Sequence, residues 1–386
     1  MSTFDSVEKT VKERYTEGAN EVQPELCCPV SYNTEYLKVL PDEIIERDYG
    51  CGDPSQYVKK GETVLDLGSG GGKICYIASQ VVGENGHVIG VDMTDDMLAL
   101  AEKYKYEIGE KIGFHNVEFR KGNIQDLALN LEKVERFIEE NPVTDLESME
   151  KLEAYKNHLR KNETLVEDNS IDVIVSNCVL NLVSPDEKKK LFNEMFRVLK
   201  RGGRCVISDI VSDEYSPQHL QEDEELWSGC ISGAFQETEF LKMFEEAGFH
   251  GIEILKLDET PWKVVEGIEY RSMTVQAFKG KQGPCLDRNQ AVVYKGPWKA
   301  VIDDDGHTLY RGERMAVCEK TFNIYKNNYT SDVITIEPKT EVPLDDAKKF
   351  DCRKDERRDP KRMKVGPKKK MTVLNGAVCD PNSGCC

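Results

Sequence analysis

Residues 61–73 read GETVLDLGSGGGK, and Gly90-Val91-Asp92 closes the next apolar run. The apolar residues at 63–67 suit a buried strand. Gly68-Ser69-Gly70-Gly71-Gly72 then turns the chain more closely than bulky side chains allow. Residues 74–82 read as a helix, and a second strand at 87–91 ends in Asp92. Strand, glycine turn, helix, strand and terminal acid make up half of a nucleotide-binding βαβ unit, with the acid placed to accept hydrogen bonds from a ribose.

A glycine turn alone does not say which nucleotide. Dinucleotide sites aim a helix N-terminus at a pyrophosphate. Here Asp66 stands at the strand end, just before the glycines. A carboxylate there repels a pyrophosphate and suits an ammonium group. S-adenosylmethionine carries an amino-acid head, a ribose and no phosphate, so the pattern favours this methyl donor. Further apolar runs at 117–120, 171–175, 203–207, 252–256 and 273–278 read as strands, with helical patterns between them at 186–199 and 237–247. The expected fold is therefore α/β: a seven-stranded, mostly parallel, Rossmann-like sheet with helices on both faces.

The 386 residues include 13 cysteines and carry a net charge of −18. No run is long enough to span a membrane and no signal-like segment opens the chain. These features predict a cytoplasmic protein, where thiols stay reduced and clustered cysteines serve metals or catalysis. Cys51 lies between Gly50 and Gly52, a setting that predicts exposure. Cys178 follows the strand at 171–175, at the sheet end where ligands of open α/β folds sit. Cys230 lies in a loop near 226–234. Cys75 and Cys205 fall inside an apolar helix and an apolar strand and read as core.

The segments DYGCG (48–52), VLDLGSG (64–70), CYIxSQxVGxxGHVIGVDMT (75–94), VSNCVLNLV (175–183) and LWxxCIxGA (226–234) resemble the arsenite S-adenosylmethionine methyltransferases of class I. The likeness runs from about Tyr15 to about Lys279. It implies that Cys51, Cys178 and Cys230 bind trivalent arsenic as thiolates. It also implies a fourth, upstream redox thiol. Cys28 is the best positional match, with Cys27 beside it. An external thiol reductant such as thioredoxin or glutathione would reopen a Cys28–Cys51 disulfide, and arsenite or its thiol conjugates would be the acceptor. The implied role is arsenic detoxification.

The chemistry explains the need for thiols. Trivalent arsenic is soft and prefers sulfur. Three thiolates leave it a lone pair that can attack the sulfonium methyl carbon in line. Catalysis then consists of alignment, with no strong general base. By position, Asp66, Gly68, Ser69, Gly70 and Gly72 would wrap the methionine half of the donor. Asp92 would hold the ribose, with Met93 and Met97 flanking the adenine. Asn123 and Ile124 follow the third strand at the usual place for an adenine contact. Asn177 should face the donor, and Tyr15 resembles a family tyrosine that closes over it.

Three parts are expected: an N-terminal cysteine-bearing segment (1–55), a methyltransferase domain (56–280) and a small β-rich module with a Cys-rich tail (281–386). Residues 128–167 form a charged insert read as a helical hairpin, either a surface decoration or a lid. Residues 348–370 are rich in Lys and Arg and read as a solvated, flexible stretch. The terminal Cys385-Cys386 pair suits metalloid delivery or no role at all. The expected protein is a monomer that binds neither nucleic acid nor membrane. Two rival readings remain: a methyltransferase of another small molecule, or a non-catalytic metalloid-binding thiol protein.

Overall fold

The computed structural model describes residues 3–23, 30–223, 226–227, 229–326, 331–338, 341–361 and 364. Cys27, Cys28, Cys379, Cys385 and Cys386 lie outside them. The chain divides into two compact units, Met1–Lys281 and Gln282–Cys386.

The first unit opens with α1 (Thr3–Asn20) and two short helices, α2 (Thr34–Leu37) and α3 (Asp42–Glu46). There follow β1 (Thr63–Leu67), α4 (Lys73–Val82), β2 (His87–Asp92), α5 (Asp95–Ile112) and β3 (Val117–Lys121). Next come α6 (Leu131–Glu140), α7 (Leu146–Asn162), β4 (Ile171–Asn177), α8 (Pro185–Val198) and β5 (Leu199–Ser212). The unit ends with α9 (Gln218–Gln221), β6 (Phe235–Gln236), α10 (Glu237–Glu246), β7 (His250–Leu257), β8 (Lys263–Val265) and β9 (Ile268–Phe278). The main path of the sheet runs β3-β2-β1-β4-β5-β9-β7. All pairs from β3 to β5 are parallel, and β9 lies antiparallel between β5 and β7.

The seven expected strands are all present. The short β6 and β8 pair beside them and were not foreseen, because two or three residues carry no usable period. Strands β1, β2, β4 and β5 are covered on both faces, which is why they read as continuous apolar runs. One face packs Val64, Val173 and Val206 under Ile74, Cys75 and Val82 of α4. The other packs Leu65, Leu67 and Ile174 under Phe192 of α8 and Phe240 and Phe244 of α10. Phe192 and Phe244 meet edge to face at 4.8 Å. Each such ring stabilises the fold by about 1.5–3 kcal/mol through burial.

The insert forms the helical pair α6–α7. Phe137 stacks on Tyr155 at 4.3 Å, and Val134, Leu152 and Leu159 pack with Leu129 at its base. Leu146 and Met149 share the spacing of Leu152 yet are exposed, so the helical period overstated the buried face.

In the second unit, β11 (Ala291–Tyr294) is flanked antiparallel by β14 (Arg314–Ala316) and β15 (Val333–Ile336). β12 (Ala300–Ile302) pairs with β13 (Thr308–Tyr310), and β10 (Leu286–Asp287) with β16 (Lys348–Lys349). Helix α11 (Glu319–Lys326) buries Phe322 and Tyr325 in the core of this unit. The stretch from 348 onward is largely exposed over 348–361, as expected, with one buried exception. Arg358 is buried, pairs with Asp287 at 2.9 Å, and its backbone N–H donates to the Arg314 carbonyl. A single buried cation with a carboxylate partner looks, in composition, like one more solvated charge.

Candidate active site

The carboxyl ends of β1, β2 and β4 open onto a cleft. After β1 the chain turns back on its neighbour: the N–H groups of Gly68 and Ser69 both donate to the Val91 carbonyl. Asp92 at the end of β2 accepts from the Gly70 N–H at 2.9 Å and the Thr94 N–H at 2.8 Å. It therefore fixes the glycine turn while facing the cleft. Burial raises its pKa, and the hydrogen bonds from Thr94 and Gly70 oppose that rise.

Asp66 is also buried. Burial pushes its pKa up to about 7, opposed by a hydrogen bond from the Cys75 thiol, and the charges of Asp48 and Asp92 push it further up. Such a carboxyl gains most from an ammonium partner. Lys73, buried at the start of α4, is already paired with Asp48 at 3.0 Å and sits over the Tyr32 ring.

The pocket fits the methyl donor. A Cβ on Gly70 would meet no protein atom closer than 3.9 Å. Its glycine is explained instead by φ of +49°, and the open space beside it leaves the backbone accessible to a ligand. Ser69 Oγ is buried with no hydrogen-bond partner among the described residues, which leaves it for a bound molecule.

Of the expected donor residues, Asp66, Gly68, Ser69, Gly70, Asp92, Met93, Met97, Ile124, Asn177 and Tyr15 lie on the cleft wall. Gly72 and Asn123 do not. Gly72 is the N-cap of α4 with φ of 85°, and a Cβ there would run into Phe119 at 2.7 Å. No residue of α6 or α7 lines the cleft among the described residues.

Cys51, Cys178 and Cys230 gather in one apolar cluster beside the cleft. Cys178 follows β4 and lines the cleft; Cys51 is disulfide-bonded to it. The pairing expected for Cys51 was with Cys28, which lies outside the described residues. Cys51 is 3% exposed, contrary to the exposure its glycine neighbours suggested. The Cys230 thiol donates to the Cys178 carbonyl at 3.4 Å and packs in the same apolar cluster. Both Cys178 (φ 58°) and Cys230 (φ 62°) adopt left-handed backbone, which costs a non-glycine residue energy and is found at constrained functional positions. Tyr15 hydrogen-bonds Cys230, and burial raises its hydroxyl pKa.

Three supporting residues were not foreseen in these roles. Asn177 accepts from the N–H groups of Cys51 (2.9 Å) and Gly52 (3.0 Å) and donates to the Gly52 carbonyl. It clamps the cysteine loop as well as facing the cleft. Asp209, buried in β5, accepts from the Leu180 and Ile210 N–H groups, and its carboxylate lies within 4.8 Å of the Cys51 and Cys178 sulfurs. Burial pushes its pKa up to about 7. Lys188 of α8, pushed down to about 8 by burial, donates to the Gly233 carbonyl and anchors the Cys230 loop. An acid inside the apolar run CVISDIV was the available signal for Asp209.

Comparison with known proteins agrees with this geometry. A family model described as a methyltransferase domain matches residues 58–153 and 143–248, and a domain of unknown function matches 281–368. The arsenite methyltransferase of Aquipseudomonas alcaligenes is 33% identical, over 81% of this chain and 84% of its own. That of Homo sapiens is 31% identical over 79% and 74%. The crystal structure of an arsenic(III) S-adenosylmethionine methyltransferase from Chlamydomonas reinhardtii superposes with a TM-score of 0.56 at 27% identity, covering 84% of this chain and all of that one. With its α/β sheet, its donor cleft and relatives of this similarity and coverage, the chain belongs to the arsenite methyltransferase family.

Proposed function

We propose that the protein transfers methyl groups from S-adenosylmethionine to trivalent arsenic held by Cys51, Cys178 and Cys230. The observation that carries this reading is the convergence of the three cysteines, from segments far apart in sequence, on the wall and margin of the donor cleft. Asp66 would take the ammonium of the donor and Asp92 the ribose. The donor supplies an electrophilic methyl group on a sulfonium.

With the Cys51–Cys178 bond reduced, three thiols can exchange with arsenous acid and release three waters. The arsenic lone pair is then free to take the methyl group, and aligning lone pair, carbon and sulfur is the protein's contribution. Methyl transfer leaves arsenic pentavalent. If Cys51 and Cys178 leave arsenic as a disulfide, two As–S bonds break, two electrons return to arsenic, and water fills the open position on the methylated trivalent product still held by Cys230. A thioredoxin-like dithiol or glutathione would reopen the bond by exchange. In a reducing cytoplasm such a cycle would serve detoxification.

The test is arsenite with S-adenosylmethionine and a dithiol reductant, followed by chromatography of arsenic species. Methylated arsenic with matching S-adenosylhomocysteine is the expected result. Donor binding without any methylated arsenic under fully reducing conditions would overturn the reading.

A further inference from the structure

The second unit holds a group of thiols away from the cleft residues in sequence. Cys285 precedes β10, Cys318 precedes α11 and Cys352 follows β16. The pairing of β10 with β16, continued by the Phe350 N–H donating to the Cys285 carbonyl, brings the first and last together. Helix α11 delivers the third, with the Cys318 carbonyl accepting from the Phe322 N–H. The three sulfurs all lie within 4.8 Å of one another. None is in a disulfide; Cys318 is buried and the other two are half-buried. A zinc–sulfur tetrahedron with bonds of about 2.3 Å holds its sulfurs about 3.8 Å apart, and the narrower pyramid of trivalent arsenic draws them somewhat closer, so side-chain rotations are what close such a site.

We propose that Cys285, Cys318 and Cys352 form a second thiol site in this chain, which takes trivalent arsenic as a trithiolate. The exchange is balanced without any redox step. Three S–H groups and arsenous acid, As(OH)₃, give three As–S bonds and three waters.

Two observations favour arsenic over zinc. A closed zinc site takes four ligands, and among the described residues the group has three, with no histidine or carboxylate joining it. Charge points the same way. An ordinary cysteine thiol, with a pKa of about 8.5, is protonated near neutral pH, so a group of three free thiols carries no charge. Arsenous acid is also neutral, and its exchange leaves no buried charge. A zinc trithiolate would leave a net negative charge in the same place. Binding would tie three separate segments of the unit together and raise its stability through linkage. The inference does not depend on the assignment of Cys51, Cys178 and Cys230.

The test uses the full-length protein, reduced, with Cys51→Ser, Cys178→Ser and Cys230→Ser in every sample. Sodium arsenite is added, excess is removed, and arsenic per chain is measured by elemental mass spectrometry. Adding Cys352→Ser or Cys318→Ala should lower bound arsenic by one per chain. The parent should show a three-sulfur shell by X-ray absorption and an arsenite-dependent rise in melting temperature that Cys352→Ser removes. Cys352 is half-buried, so its serine variant remains decisive if Cys318→Ala fails to fold. Unchanged stoichiometry in the folded Cys352→Ser protein would overturn the site. One equivalent of zinc, bound by the parent and not displaced by arsenite, would overturn the choice of ion. Because the donor-side cysteines are absent throughout, failure of arsenite methylation in the wild-type protein would leave this result standing.

Discussion

Asp66 carries the clearest electrostatic consequence at the scale of one residue. Its carboxyl is buried, so ionising it in the empty protein is unfavourable and its pKa rises to about 7. The sign for stability follows. Its unfolded-state pKa is near 3.9, so the folded state holds the proton more tightly. This group's effect on stability is most favourable below about pH 4 and worsens as pH rises to about 7. Donor binding should run the other way, because an ammonium partner stabilises the carboxylate. Between pH 5.5 and 7 donor affinity should rise roughly tenfold, and Asp66→Asn should flatten that rise. Asp66→Asn should also be more stable than wild type at pH 8 in the absence of donor. Titration calorimetry over this range decides; an unchanged pH slope in the asparagine protein would show that Asp66 does not face the ammonium.

At the scale of elements, the cysteine loop is held close against the end of β4, and Gly50 permits the approach. A Cβ on Gly50 would lie 1.9 Å from Asn177 Nδ2. Asn177 has little freedom to withdraw, since its amide already holds the Cys51 and Gly52 backbone. Gly50→Ala should therefore displace the loop, at a cost of about 1–3 kcal/mol in stability, and carry Cys51 away from Cys178. Peptide mapping after mild oxidation should find much less Cys51–Cys178 linkage than in wild type. Equal linkage would mean that the loop adapts and the contact is not what places Cys51. The strands and the glycine turn were legible in the sequence because each is encoded by a local period or a local steric need. This clamp was not. Asn177 was legible as a strand-end residue facing a ligand, but its second task joins positions more than a hundred residues apart. The cysteine pairing was hidden for the same reason: Cys51 between two glycines looked exposed until β5 and β9 were laid over it, with Ser272 of β9 holding its carbonyl.

At the scale of the whole molecule, the division of labour between the units follows from where the cleft walls come from. Among the described residues, the wall of the donor cleft falls between Val11 and Val183, and the sheet that positions it closes within Met1–Lys281. The β-rich character of the second unit was expected from the sequence. Its thiol group was not, because Cys285, Cys318 and Cys352 share no motif spacing and meet only through the β10–β16 pairing and the start of α11. Arg358 was misread with the basic stretch around it, since its partner Asp287 lies seventy-one positions earlier. A protein ending at Lys281 should therefore fold and keep donor affinity within about threefold of the full chain, well under the 1.4 kcal/mol that a tenfold change represents. It should lose one equivalent of bound arsenite relative to the full chain at matched reduction. Calorimetry with S-adenosylmethionine and arsenic analysis on the same preparation test both halves. A donor affinity lowered more than about tenfold, in a truncated protein with a cooperative melt, would mean that the second unit shapes the cleft after all.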